Sequence, residues 1–178
     1  MLFNTNRGKR GFTITEILIA VLLVLILSAI AVPRLLGNQR QADDTSAKAQ
    51  LRTAGEAARN LMYEAGGNFS TAKVDGVGVG LSRIAKDEPN IEFVASTTAS
   101  EVKGNRRSVS VNVPANQYWI AASVGGADGT NVNCWYVLLD STGGDKFAVQ
   151  QTSPTGCKAS DLSSTSTAWV PFDFPPRP

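Results

Sequence analysis

From Ile17 to Val32 the chain is apolar at every position except the hydroxyl of Ser28, and one carboxylate, Glu16, stands at the head of the run. No other feature limits the fold so tightly. A helix on the surface of a water-soluble domain keeps a polar face, and this run has none. Crossing a bilayer takes about 20 apolar residues. A carboxylate carried to the centre of that medium costs roughly 2.5–3.5 kcal/mol on insertion scales. Glu16 therefore calls for an ammonium partner, or for a place near the headgroups where its side chain reaches water. Arg7, Lys9 and Arg10 precede the run as a short basic leader without acids, which fits retention of that end in the cytoplasm. An ordinary secretory signal is the other reading: Ala29-Ile30-Ala31 fits an A-x-A cleavage site that releases a soluble domain at Val32.

The junction Lys9-Arg10-Gly11-Phe12-Thr13-Ile14-Thr15-Glu16, together with the apolar run, resembles the class III signal of type IV pilins and pseudopilins, a prepilin-type N-terminal methylation motif. The resemblance is tight over about residues 7–36 and extends further only in general plan. It implies that a prepilin peptidase removes residues 1–11, cutting between Gly11 and Phe12 and methylating Phe12. It implies that Glu16, then the fifth residue, meets the amino terminus of a neighbouring subunit. Residues 12–33 become the transmembrane and filament-core half of a long helix, bent near Pro33 and Gly37. Residues 34–178 become the extracytoplasmic head, comprising the second half of the helix, an antiparallel sheet and a proline-rich tail. The fold class expected is thus α+β and pilin-like. The function implied is a structural subunit of a type IV pilus serving adhesion, motility or DNA uptake. A pseudopilin or minor pilin of a type II secretion or competence system shares the same helix, and a secreted or anchored binding protein is the alternative from another class. The partners implied are further copies of the chain, the prepilin peptidase, the assembly machinery and the membrane. The chain passes from the inner membrane to a surface filament.

Charge and cysteines bound the rest. The 178 residues carry 17 basic and 15 acidic side chains; without Arg7, Lys9 and Arg10 the balance is 14 to 15, or −1. No electrostatic case for nucleic acid survives that subtraction. There is no histidine, so neither a Ser-His-Asp nor a Cys-His arrangement can form, and no enzyme activity is expected. The two cysteines, Cys134 and Cys157, lie far beyond the apolar run. An intramolecular disulfide is expected between them, with free thiols or a bridge between subunits as alternatives. No metal or other cofactor is expected, because two cysteines without histidine leave too few ligands for zinc. Asp128, Asn131 and Asn133 lack the clustered acids of a calcium site.

Past Pro33, small and apolar residues recur at Ala47, Leu51, Ala54, Ala58, Leu61 and Ala65 at alternating spacings of four and three, the stripe of a helix lying on a core. The spacing predicts one helix from Phe12 to about Ala65, stopped by Gly66-Gly67. The neighbouring acids Asp43-Asp44 and Asp87-Glu88 read as solvated surface. Asp75-Gly-Val-Gly-Val-Gly80 reads as a loop, followed by a short helical turn within Leu81–Lys86. Strand patterns follow at Ile91–Ala95, Ser108–Val113, Gln117–Val124, Val132–Asp140 and Lys146–Gln151, with Gly125-Gly126-Ala127-Asp128-Gly129 and Gly143-Gly144 taken as turns. They predict an antiparallel meander with one face on the helix and the other polar. The aromatic, proline-rich tail from Trp169 is expected to tuck over the sheet edge.

Overall fold

A computed structural model of the chain describes residues 11–74, 83–103, 106–128, 130–152, 156–171 and 173–176, with the side chains of 30–36, 102, 103, 106 and 128 outside the description. The leader before Gly11 and the loop Asp75–Gly80 lie outside the described residues, as do Leu81 and Ser82. The chain divides into two compact units, Met1–Asn38 and Gln39–Pro178.

Helix α1 runs Ile14–Glu64, as the periodicity predicts. It is helical through Pro33 and Gly37, so no full break occurs there. Its end is made by two glycines in the left-handed region, Gly66 at φ 74° and Gly67 at φ 88°. They let the Gly67 N–H turn back to the Met62 carbonyl at 2.9 Å, satisfying a carbonyl that the helix leaves open. A short helix α2, Arg83–Asp87, buries Ile84 and Ala85.

The strands are β1 Glu92–Ala95, β2 Val102–Lys103, β3 Arg106–Ala115, β4 Tyr118–Asp128, β5 Asn131–Asp140, β6 Lys146–Thr152 and β7 Val170–Pro171. They form one sheet in the order β1-β3-β4-β5-β6-β7, with β2 paired to the start of β3. From β3 to β7 every neighbouring pair is antiparallel. β1 departs from the expected meander by running parallel to β3. That register sets Phe93 beside Val109, and both are buried in the same core.

Within the second unit, Ala47, Leu51, Ala54, Ala58 and Leu61 of α1 are fully buried. They share one core with Val109, Val111, Trp119, Ala121, Trp135, Val137, Leu139 and Phe147 of the sheet. The expectation of a polar opposite face is overturned. Ile120, Ala122, Val124, Cys134, Tyr136, Leu138 and Ala148 are buried there beneath Cys157, Ala159 and Leu162. The cause is visible in β5, where Cys134-Trp-Tyr-Val-Leu-Leu139 is apolar on both faces. Even the alternate serines of β3 are covered. The Ser110 hydroxyl donates to the Ala95 carbonyl at 3.2 Å and accepts the Ala159 N–H at 3.0 Å.

A disulfide joins Cys134 on β5 to Cys157, with Cα atoms 5.3 Å apart, and fastens this cover to the sheet. The Tyr136 hydroxyl meets the Asp161 carboxylate beneath the same cover; burial, then that negative charge, push its ionisation well above the ordinary tyrosine value. The tail does tuck over an edge. Val170 and Pro171 pair with Phe147 and Lys146 of β6. Phe174 then packs edge-on to Trp135 at 5.7 Å and against Phe147 at 4.6 Å between ring centroids.

Two outcomes follow. Replacing Cys134 and Cys157 by serine should lower unfolding stability by about 3 kcal/mol, the loop-closure value for a bridge of this span. Unchanged denaturation midpoints would show that the cover holds without it. The second concerns acid. Burial acts to raise the Asp140 pKa, but hydrogen bonds from the Thr142 amide, Gln117 and the Thr142 hydroxyl, with the Lys146 charge, hold it below the usual carboxylate value. A depressed folded pKa adds stability above the unfolded pKa, and that stability is lost as pH falls through the folded value. Asp140→Asn should therefore weaken the domain at neutral pH and flatten its acid-side loss in a titrated melt.

Candidate functional site

Gly11 and Phe12 lie just before α1, and both are exposed. A Cβ built on Gly11 meets nothing within 4 Å. Phe12 is 78% exposed. Thr13 opens the helix: its carbonyl accepts the Glu16 N–H at 3.1 Å, and its hydroxyl accepts the same N–H at 3.3 Å. This places Glu16 in the first turn, where the positive end of the helix dipole favours a carboxylate. Among the described residues no side chain pairs with that carboxylate. Gly11, Phe12 and Glu16 thus lie within six consecutive residues at the start of the helix.

Past Glu16 the helix surface has one chemistry. Large apolar side chains from Ile14, 82% exposed, to Ile17, 50% exposed, and on through Leu27 all face outward. Val21 to Leu27 are consecutive and all exposed, so at about 100° per residue they cover the full circumference. The lone hydroxyl is satisfied within the helix, Ser28 Oγ donating to the Val24 carbonyl at 2.7 Å. Covering a large aliphatic or aromatic side chain is worth about 1.5–3 kcal/mol, so this surface represents on the order of 20 kcal/mol of burial not yet made. That exceeds the 5–15 kcal/mol typical of a whole domain. Among the described residues no helix is long and apolar enough to cross a membrane. The described side chains of the run end at Ala29, short of the about 20 needed.

The second unit carries a polar cluster that was not foreseen. Asp44, expected as solvated surface, is only 4% exposed. Its Oδ1 accepts the Gly126 N–H at 2.8 Å, the Trp135 indole N–H at 2.9 Å and the Asn133 amide at 3.3 Å, and its Oδ2 accepts the same amide at 3.2 Å. Beside it, the buried Arg107 guanidinium pairs with Asp43 and donates to the Val124 carbonyl at 2.6 Å. Gly125 and Gly126, expected to open the turn that runs to Gly129, instead lie inside β4 at an irregularity between Val124 and Ala127. A Cβ on Gly126 would come within 2.6 Å of the Arg40 carbonyl, so only glycine allows the helix so close. The signal was in the stripe. Asp44 stands three residues before Ala47, in phase with Ala47, Leu51 and Ala54, and so belongs to the buried face.

Among the described residues no three His, Cys, Asp or Glu side chains gather to hold a metal. A surface depression of about 450 Å³ is lined by Gly144, Asp145, Lys146, Phe147 and Pro171. Asp173 at the tail is exposed, and the Phe174 N–H and Arg52 hold its carboxyl below the usual value. The geometry instead separates a helix start that needs company from a domain that has satisfied itself. A fragment beginning at Gln39 should accordingly be soluble and monomeric, while the chain from Phe12 should require detergent. Sedimentation of both decides it, and a head fragment that self-associates strongly contradicts the division.

The model of the prokaryotic N-terminal methylation motif matches residues 6–32, the stretch that holds Gly11, Phe12, Glu16 and the apolar run. Over 48 residues the chain is 40% identical to the type IV wide pilus major component PilA4 of Thermus thermophilus, a match covering 27% of this chain. The chain spans 37% of the length of that relative. No solved structure matches it. Over those stretches the chain is similar to type IV pilins, and its helix packed on a largely antiparallel sheet is pilin-like.

Proposed function

We propose that this chain is the precursor of a filament subunit that polymerises through the apolar half of α1. The observation that carries the proposal is that half's surface, apolar all round and led by one carboxylate without a partner among the described residues. Removal of residues 1–11 between Gly11 and Phe12 creates an ammonium at Phe12, four residues before Glu16. Within a single helix the two groups lie side by side along the chain. In a stack of staggered helices, the Phe12 amine of one copy reaches the Glu16 carboxylate of the next. One stagger satisfies both charges in an apolar core, and this selects the axial register. Before assembly, residues 12–33 hold the subunit in the cytoplasmic membrane. Pro33, which lacks an amide donor, and Gly37 supply a place where the helix bends as it enters the filament. Residues 34–178 are then displayed outside.

Processing and assembly separate in two experiments. Mass spectrometry of the mature protein should find Phe12 as a methylated first residue. A first residue at Val32 means an ordinary secretory signal, and Met1 an uncleaved anchor. Gly11→Glu should block the cut and leave the longer form in the membrane. Glu16→Val should be cut normally and yet yield few filaments, with Glu16→Asp intermediate because the charge stays but the reach is lost. Normal filament yield from Glu16→Val would sink the charge pairing.

A further inference from the structure

We propose that the Asp43-Asp44 step of α1 is a clamp that fixes where the helix stops being able to loosen. The reading is independent of what the apolar half assembles with. Two devices meet at this point. The first is the buried Asp44 carboxylate, which takes N–H groups from β4 and β5 through Gly126, Asn133 and Trp135. All three are donors, so an acceptor of this shape fits and a neutral or apolar side chain leaves buried N–H groups unmatched. The second is the Arg107 guanidinium on β3, which pairs with Asp43 and is itself tied to the Val124 carbonyl. Three strands are thereby pinned to adjacent residues of one helical turn. Gly126 completes the contact by admitting the Arg40 backbone.

Just before this turn the described residues are uncovered. Gly37, Asn38 and Gln39 are exposed, and a Cβ on Gly37 would touch nothing within 4 Å. Pro33 leaves one helical hydrogen bond unmade. After it, Ala47, Leu51 and Ala54 bury the stripe continuously. The helix therefore changes from locally supported to tertiary-supported within about one turn, and local opening free energies follow such changes in burial. The clamp confines bending, stretching or unwinding of α1 to positions before Arg40, and protects the sheet from strain arriving along the helix.

Hydrogen exchange read by mass spectrometry on the full mature chain in detergent micelles tests this. In the natural protein the amides of Asp44–Lys48 should be protected, while those of Arg34–Gln39 exchange faster; no step near Arg40 overturns the proposal. In Asp44→Ala, exchange at Asp44–Lys48 should rise by about tenfold or more, the loss expected when a buried multiple acceptor is removed, with Gly55–Glu64 unchanged. Unchanged exchange at Asp44–Lys48, or an equal rise along the whole helix to Glu64, overturns it. Gly126→Ala should move the same amides by pushing on the Arg40 backbone. Asp44→Asn, which keeps one acceptor oxygen, should give a smaller rise. These two carry the test if Asp44→Ala does not accumulate. Phe174→Ala, at the tail contact, should leave Asp44–Lys48 as they are; a rise matching that of Asp44→Ala would mean that general packing, and not the clamp, sets the boundary.

Discussion

A helix that is apolar on every side has no stable place in water, and this one constraint orders the rest of the protein. α1 is a single secondary-structure element built for two surroundings. Its first half offers Val21–Leu27 in all directions. Its second half has one buried stripe and one wet face, the pattern of an ordinary surface helix. The intramolecular fold satisfies only the second. Burial of the first must come from lipid or from other copies, and both are sources the chain does not itself contain. Under the proposed function, such a protein is kept in a membrane until its assembly partners replace the lipid. The position of Glu16 acquires meaning in that exchange, because a carboxylate tolerable near headgroups becomes costly in a filament core unless an ammonium is there to meet it.

The second unit builds its core from its own elements. Its sheet is covered on both faces, by α1 on one and by the segment from Cys157 to Leu162 on the other. The cover carries little apolar surface: Lys158, Ala159, Ser160 and Asp161 are small or polar, and its strongest attachments are the disulfide and the Tyr136–Asp161 contact. The far edge is closed by a two-residue strand and by Phe174, while the Arg52–Asp173 ion pair at 2.7 Å is too exposed to contribute much. A head finished in this way can be displayed on an outer surface without offering a large sticky patch.

Much of this was legible in the residues, and the failures have physical causes. The stripe from Ala47 to Leu61, the Gly66-Gly67 stop and the main strands could be read because each depends on local periodicity or on backbone freedom that the sequence states directly. Asp44 was misread because a charged residue was assigned by its type, when its phase with the stripe already placed it inward. Gly125-Gly126 was misread because paired glycines signal either a turn or a close approach, and the approaching partner, Arg40, is remote in sequence. The polar face expected for β3 failed for a related reason: Ser108 and Ser110 are polar, but their partners at Glu101, Ala95 and Ala159 cannot be seen from the strand itself. The amino-terminal motif was legible because it is a short contiguous stretch and does not depend on long-range packing.

The central claim is that the apolar half of α1 is buried among copies of itself with the amino-terminal charge matched to Glu16. The most direct measurement is a helical reconstruction by electron cryomicroscopy of filaments sheared from cells that make this protein. The account predicts a core of staggered α1 helices beginning at Phe12, with each Glu16 carboxylate within about 4 Å of a neighbouring subunit's Phe12 nitrogen, an ion-pair distance. Filaments whose core excludes residues 12–29, or in which Glu16 faces solvent with no amine beside it, would contradict it.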